Sequence, residues 1–275
     1  MSTKSKALIG CAIVALMAIV IVWMTVGSRP AVAQGGAAAQ QQGPPPQRFA
    51  VTVTQVKPEM LQTWQDVIKN EAIPAQRKAG VAWRHTFANG PFGQGFTFVT
   101  VQPVTNYAQY DQPGAIQRAL GADGAAKYNA KLRPTLVSTH TIVQTLQPNE
   151  SIQSNSTTPS PLIVVQNIQV LSGKGAEFES ILKSDYLPNY RKAGVTNFFV
   201  FTTNFGAPNS LVTTVRPIST YAELDQQPGL LARAVGAEAA QKINARRNAL
   251  IASIETEVYR FVPELSFGMP ARTSN

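Results

Sequence analysis

Few side chains in this chain of 275 residues could do acid–base chemistry, and they fall in two places. The only histidines are His85 and His140. Near the C-terminus Ser253, Glu255, Glu257 and Tyr259 alternate with Ile254, Thr256 and Val258, and earlier Ser138, His140 and Gln144 alternate with Val137, Thr139 and Val143. A histidine, carboxylate or phenol held on one strand face can take and return a proton, so His85, His140, Glu255, Glu257 and Tyr259 are the candidate catalytic groups. Cys11 is the only cysteine and lies in an apolar N-terminal segment, which excludes thiol chemistry, a disulfide and a cysteine metal site from the rest of the chain. The histidines do not fall in an H-x-x-x-H or H-E-x-x-H spacing, so neither a metal nor a cofactor is expected.

Two motifs occur twice. Arg77-Lys78-Ala79-Gly80 is matched by Arg191-Lys192-Ala193-Gly194, and Asp111-Gln112-Pro113-Gly114 by the longer Asp225-Gln226-Gln227-Pro228-Gly229. Both have structural accounts. The glycines stop helices, cations in a last helical turn favour the helix dipole, and D-Q-P-G is a turn. If the motifs carry function instead, Arg77, Lys78, Tyr107 and Asp111 are the groups involved.

The elements that must position these residues follow from periodicity. Alternation predicts a strand over 49–56, and Leu61, Trp64 and Ile68 place a helix over 59–78, stopped at Gly80. Strands over 81–87 and 96–101 flank the hairpin signal Asn89-Gly90. Asn106 to Gln109 and Thr220 to Glu223 read as capping boxes opening the next helix, which Gly121 splits before a helix over 122–132 and a strand over 136–146.

The order β-α-β-β-α-β then recurs. "IPAQRKAGV" from Ile73 matches "LPNYRKAGV" from Leu187, and "VTNYAQYDQPGAIQRALGADGAAKYNA" from Val104 matches "ISTYAELDQQPGLLARAVGAEAAQKINA" from Ile218, with Gln227 as a one-residue insertion. We read an internal duplication: repeat 1 over 48–148, a polar linker over 149–161, repeat 2 over 162–267 and a tail over 268–275. The counterparts of His85 and His140 are Phe199 and Glu255, so histidine chemistry would belong to one repeat only.

Residues 1–33 read as a signal peptide. Lys4 and Lys6 precede an apolar stretch, and Ala31-Val32-Ala33 is a cleavage site. The alternative is an uncleaved inner-membrane anchor over 7–27, the only membrane contact expected. Residues 34–47, rich in Gln, Gly, Ala and Pro, read as a disordered tether. Both readings place the protein outside the cytoplasm, periplasmic or extracellular. Hydrophobic content of 44% with 14% charged residues suits a folded core. The net charge of +9 is scattered in pairs such as Arg246-Arg247 with no aromatic interleaving, which excludes nucleic acid as a partner.

The duplicated R-K-A-G and D-x-P-G motifs and the closing Pro263-Glu264-Leu265-Ser266 resemble those of exported bacterial proteins in the dimeric α+β barrel (ferredoxin-like) superfamily. That superfamily holds antibiotic-biosynthesis monooxygenases, EthD-like and NIPSNAP-like proteins and chlorite dismutases. The resemblance implies an α+β fold in which two ferredoxin-like repeats close an intrachain pseudo-dimeric barrel, leaving a monomer with an internal pseudo-two-fold. It implies closure of the second strand of each repeat against the fourth of the other, which would bring His85 to Glu255 or Glu257. Related haem enzymes take an axial histidine from a helix, and neither histidine here falls in an expected helix. Two function classes are open. The first reading is a binding module for a small molecule or protein partner; the alternative is a cofactor-independent monooxygenase- or isomerase-like enzyme with its site in the barrel interior.

Overall fold

The computed structural model describes residues 46–154 and 159–268. The expected signal peptide with its cleavage site, nearly all of the expected 34–47 tether and the end of the 268–275 tail lie outside the described residues. No helix among the described residues is long and apolar enough to cross a membrane.

Eight strands form one closed barrel: β1 (Arg48–Val56), β2 (His85–Asn89), β3 (Thr97–Val104), β4 (Leu136–Leu146), β5 (Leu162–Val170), β6 (Phe199–Phe205), β7 (Leu211–Ile218) and β8 (Ile251–Phe261). Their order around the barrel is β1-β3-β2-β8-β5-β7-β6-β4. Each half is therefore a four-stranded sheet with its first strand inside, and the edges of one half close on those of the other. At one seam Phe87 pairs with Phe261 and Asn89 with Tyr259; at the other Gln144 pairs with Thr203 and Leu146 with Phe201. Every neighbouring pair is antiparallel, so β1 and β5 run the same way and the starts of β4 and β8 lie at the same end of the barrel.

Helices α1 (Leu61–Val67) and α2 (Ile73–Lys78) continue one another through a π-helical turn at Ile68–Ala72. Pro74 is the cause, because it has no N–H and its ring crowds the carbonyl one turn earlier, and a widened turn accommodates both. The second half repeats the device: α4 (Gly175–Ile181), a wide turn at Leu182–Tyr186, then α5 (Leu187–Lys192) with Pro188. Helix α3 (Ala115–Leu132) kinks at Gly121, and α6 (Leu230–Val235) and α7 (Ala237–Asn248) flank Gly236. The expected capping boxes open only the short turns Tyr107–Tyr110 and Tyr221–Leu224, while the long helices begin after the following D-Q-P-G and D-Q-Q-P-G turns. Strand β2 begins at His85 rather than residue 81, since only Arg84 among the preceding residues finds a strand partner, Phe267.

The helices cover the outer face of the sheet, giving two large cores. One contains Trp64, Val67, Ile68, Phe98 and Tyr128, with Trp64 and Phe98 ring centroids 4.2 Å apart. The other contains Phe178, Ile181, Tyr186, Phe198 and Val200. Each core borrows from the opposite half. After β8 the chain places Leu265 and Phe267 in the first core; after β4 it places Ile152 in the second, bridged to Phe198. Part of the polar 149–161 stretch is thus packed, with Glu150, Ser151 and Ile152 buried.

Candidate active site

Strand alternation separates the helix-facing residues from the inner face of the barrel. Phe98 and Val200 belong to helix cores, so their strand neighbours Val99 and Phe201 point inward. Counting by two through the registers, His85, His140, Glu255, Glu257 and Tyr259 all fall on the inner face.

His85 is buried in an aromatic wall. Its ring centroid is 5.0 Å from that of Trp83 and 5.5 Å, edge to face, from that of Phe261. The wall continues from Phe261 to Phe87, and from Trp83 through Phe49 to Phe201. His85 Nε2 lies 3.2 Å from the Gly268 carbonyl, so the Nε2–H tautomer donates there and leaves Nδ1 as an open acceptor. Gly268 comes this close only as glycine. Its φ is +67°, and a Cβ would stand 2.8 Å from Trp83 Cβ. Burial lowers the His85 pKa below its ordinary 6.5, with the Gly268 carbonyl pulling the other way, so the imidazole is neutral at pH 7.

Glu257 and Tyr259 form a second cluster. The Tyr259 hydroxyl donates to Glu257 Oε2 at 2.6 Å and Asn89 Nδ2 donates to Glu257 Oε1 at 3.1 Å. Burial, then the Glu257 carboxylate, push the Tyr259 phenol well above its ordinary value, so it stays a donor. Asn89 must aim its amide nitrogen at the carboxylate, which leaves its Oδ1 buried without a partner among the described residues. A third group joins β4, β7 and β5, with Gln144 Nε2 donating to Thr213 Oγ1 at 2.7 Å and Thr213 to Asn167 Oδ1 at 3.0 Å.

The structure does not bring His85 to Glu255 or Glu257. The closure of β2 on β8 is as expected, but its register sets Asn89 against Tyr259 and carries His85 past Phe261 toward Gly268. His140, opposite Val53, and Glu255, opposite Asn167, are both exposed near the barrel end where β4 and β8 begin. Of the repeated-motif groups Arg77 and Tyr107 make ring contacts, while Lys78 and Asp111 are exposed. Arg77 lies 5.0 Å over the Phe267 ring, and Arg48 lies 5.0 Å over Tyr107, whose ring meets Phe205 edge-on at 5.3 Å. Sequence reasoning passed over Trp83, Phe261 and Asn89. The alternation His85, Phe87, Asn89 would have put Asn89 on the inner face, but Asn89-Gly90 reads first as a turn.

The helix-borne axial histidine that the resemblance implies for related haem enzymes has no counterpart here, since His85 lies on β2 and His140 on β4.

A closed antiparallel barrel of two four-stranded halves with helices outside is the architecture of the dimeric α+β barrel proteins, here within one chain. No protein-family model matches the chain and no curated relative does. Solved structures do. A candidate monooxygenase from Lactobacillus acidophilus superposes with TM-score 0.52 at 10% identity, covering 82% of this chain and 99% of its own. A candidate monooxygenase from Fusobacterium nucleatum gives 0.51 at 12%, covering 78% and 92%, and an anthrone oxidase-like protein gives 0.55 at 12%, covering 78% and 91%. At such identities the likeness establishes the fold. The descriptions of these neighbours, two monooxygenases and an anthrone oxidase-like protein, overturn the first functional reading of a binding module and favour its enzyme alternative.

Proposed function

We propose that this is an exported enzyme of the cofactor-independent monooxygenase or isomerase type, built by duplication of one ferredoxin-like unit and related to the NIPSNAP-like exported proteins, with its site inside the barrel. The observation that supports it best is His85, a buried neutral imidazole with Nδ1 open, set in a wall of aromatic rings. Such a wall suits a flat aromatic substrate, and the open nitrogen suits removal of a proton from an activated C–H. His140 and Glu255 are exposed near the barrel end where β4 and β8 begin, and Glu257, steadied by Tyr259 and Asn89, is a polar anchor.

The chemistry starts with transfer of the substrate C–H proton to Nδ1. The carbanion adds O2, the proton returns to give a hydroperoxide, and loss of water from a CH2 centre leaves a ketone. If the proton returns to a different carbon instead, the outcome is isomerisation. Anthrone, named by one of the structural neighbours, is the probe substrate. Oxygen uptake with anthrone should exceed the uncatalysed rate and drop about 10²–10⁴-fold in His85→Phe. Deuterium exchange at the same carbon without O2 would identify the isomerase branch. No uptake and no exchange, or equal rates in a folded His85→Phe, overturns the reading.

A further inference from the structure

On the helix side of the second half, outside the barrel, a cavity of about 330 Å³ opens between the end of α5, strand β7 and α6. Arg216 and Arg233 line it together with Glu223 and Gln226. Arg216 sits on the outer face of β7 opposite Val164, half-buried, and has no hydrogen bond or ion pair among the described residues. Burial pulls its pKa down, Tyr190 and Glu223 raise it in part, and Arg233 repels it. Glu223 does not neutralise it by contact, since its Oε1 is committed to the backbone N–H groups of Ser219 and Thr220, at 2.6 Å and 3.4 Å. Among the described residues Arg233 is held by the neutral amide of Gln226 alone. A half-buried guanidinium without a partner, facing a second one across a cleft, is an arrangement that an anion completes.

The first half does not contain this arrangement. Gln102 stands at the counterpart of Arg216, and Arg118, the counterpart of Arg233, donates to the carbonyls of Pro113 and Ala79 at 2.8 Å and 3.3 Å, closing the turn onto the end of α2. In the second half the extra residue Gln227 lengthens that turn, Arg233 bonds Gln226 instead, and Ala193, the counterpart of Ala79, lines the open cavity. One half has exchanged an internal closure for a cleft and added a second cation to it.

We propose that this cleft binds a small organic molecule through a carboxylate or phosphate group, with the Arg216 guanidinium as its principal partner and Arg233 as the second. The volume suits a small ligand, and the guanidinium fork matches both oxyanions. The site is independent of the barrel chemistry.

Calorimetric titration of the full-length protein with inorganic phosphate and, separately, benzoate tests it. We expect 1:1 binding of at least one of them with Kd of about 1 mM or tighter, weakened about tenfold or more in Arg216→Gln, which copies Gln102. Phosphate alone binding assigns a phosphoryl ligand; benzoate binding assigns a carboxylate. The melting temperature of Arg216→Gln should stay level or rise, because an unpaired charge is removed. If that variant does not fold, Arg233→Gln, at an exposed position, gives the same comparison. Binding of neither anion, or equal binding in the folded variant, overturns the proposal.

Discussion

Burial and the neighbouring Glu179 carboxylate push the Glu150 carboxyl up to about 7, against the pull of Lys183 Nζ at 3.6 Å. Lys183 pairs with Glu179 and, by that hydrogen bond first, lowers its pKa, so a proton shared by the two acids sits on Glu150. A folded-state pKa above the unfolded one stabilises at low pH, and that stability is lost as pH rises from about 4.5 through about 7. The variant Glu150→Gln should therefore melt higher than wild type at pH 8 and show no gain at pH 4, with a difference of about 1 kcal/mol, or about 2–4 °C, after allowance for solvent screening. His85 has the opposite displacement. Its lowered pKa predicts that kcat/KM with anthrone rises with pH through a midpoint below 6.5 and is level at neutral pH, readable from a pH–rate profile. Arg84 is buried and pushed down to about 10 by desolvation, which the neighbouring Tyr128 partly offsets. It donates to Thr86, Thr100, Gln76 and the Leu265 carbonyl, where the second half has the apolar Phe198. Arg84→Ala removes a donor that ties Leu265 to the first half and should cost about 2–3 kcal/mol in urea unfolding.

At the scale of elements, helix geometry follows a few punctuating residues. Pro74 and Pro188 each follow a π-helical turn, and Gly121 and Gly236 break the second helical region with φ of +73° and +83°. Nothing lies within 4 Å of a Cβ built at Gly121, so a substitution there meets no clash and its whole cost is in the backbone. Gly121→Ala should destabilise by about 1–3 kcal/mol with the denaturant slope unchanged. A neutral result would mean that the kink is not held in that conformation. The break at Gly121 and strand β4 over 136–146 were legible in sequence, because glycine conformation and period-two alternation are local properties. The helix start after the D-Q-P-G turn was not, since a capping pattern serves a single short turn as well as a long helix.

In the whole molecule the two sheets close on each other and each helix core takes apolar residues from the far half, Leu265 and Phe267 in one direction and Ile152 in the other. Both seams are satisfied within the chain, so the soluble part should be monomeric by light scattering; an obligate dimer would contradict this. The α+β character and the order β-α-β-β-α-β were readable from the sequence, because hydrophobic periodicity records which faces must be buried; the closure of second strands on fourth strands was what the resemblance to dimeric α+β barrel proteins implied. Which residues meet was decided only by the tertiary structure. Alternation places His85, Glu257 and Tyr259 on one face, yet the seam register joins Tyr259 and Glu257 to Asn89 and gives His85 to Gly268. That register joins segments some 170 residues apart, Asn89 and Tyr259, and is set by the packing of Phe87 on Phe261 and of Leu265 and Phe267 under the helices. Periodicity along a chain specifies a side of the sheet, whereas partners across a seam depend on the three-dimensional fit of surfaces that no local pattern encodes.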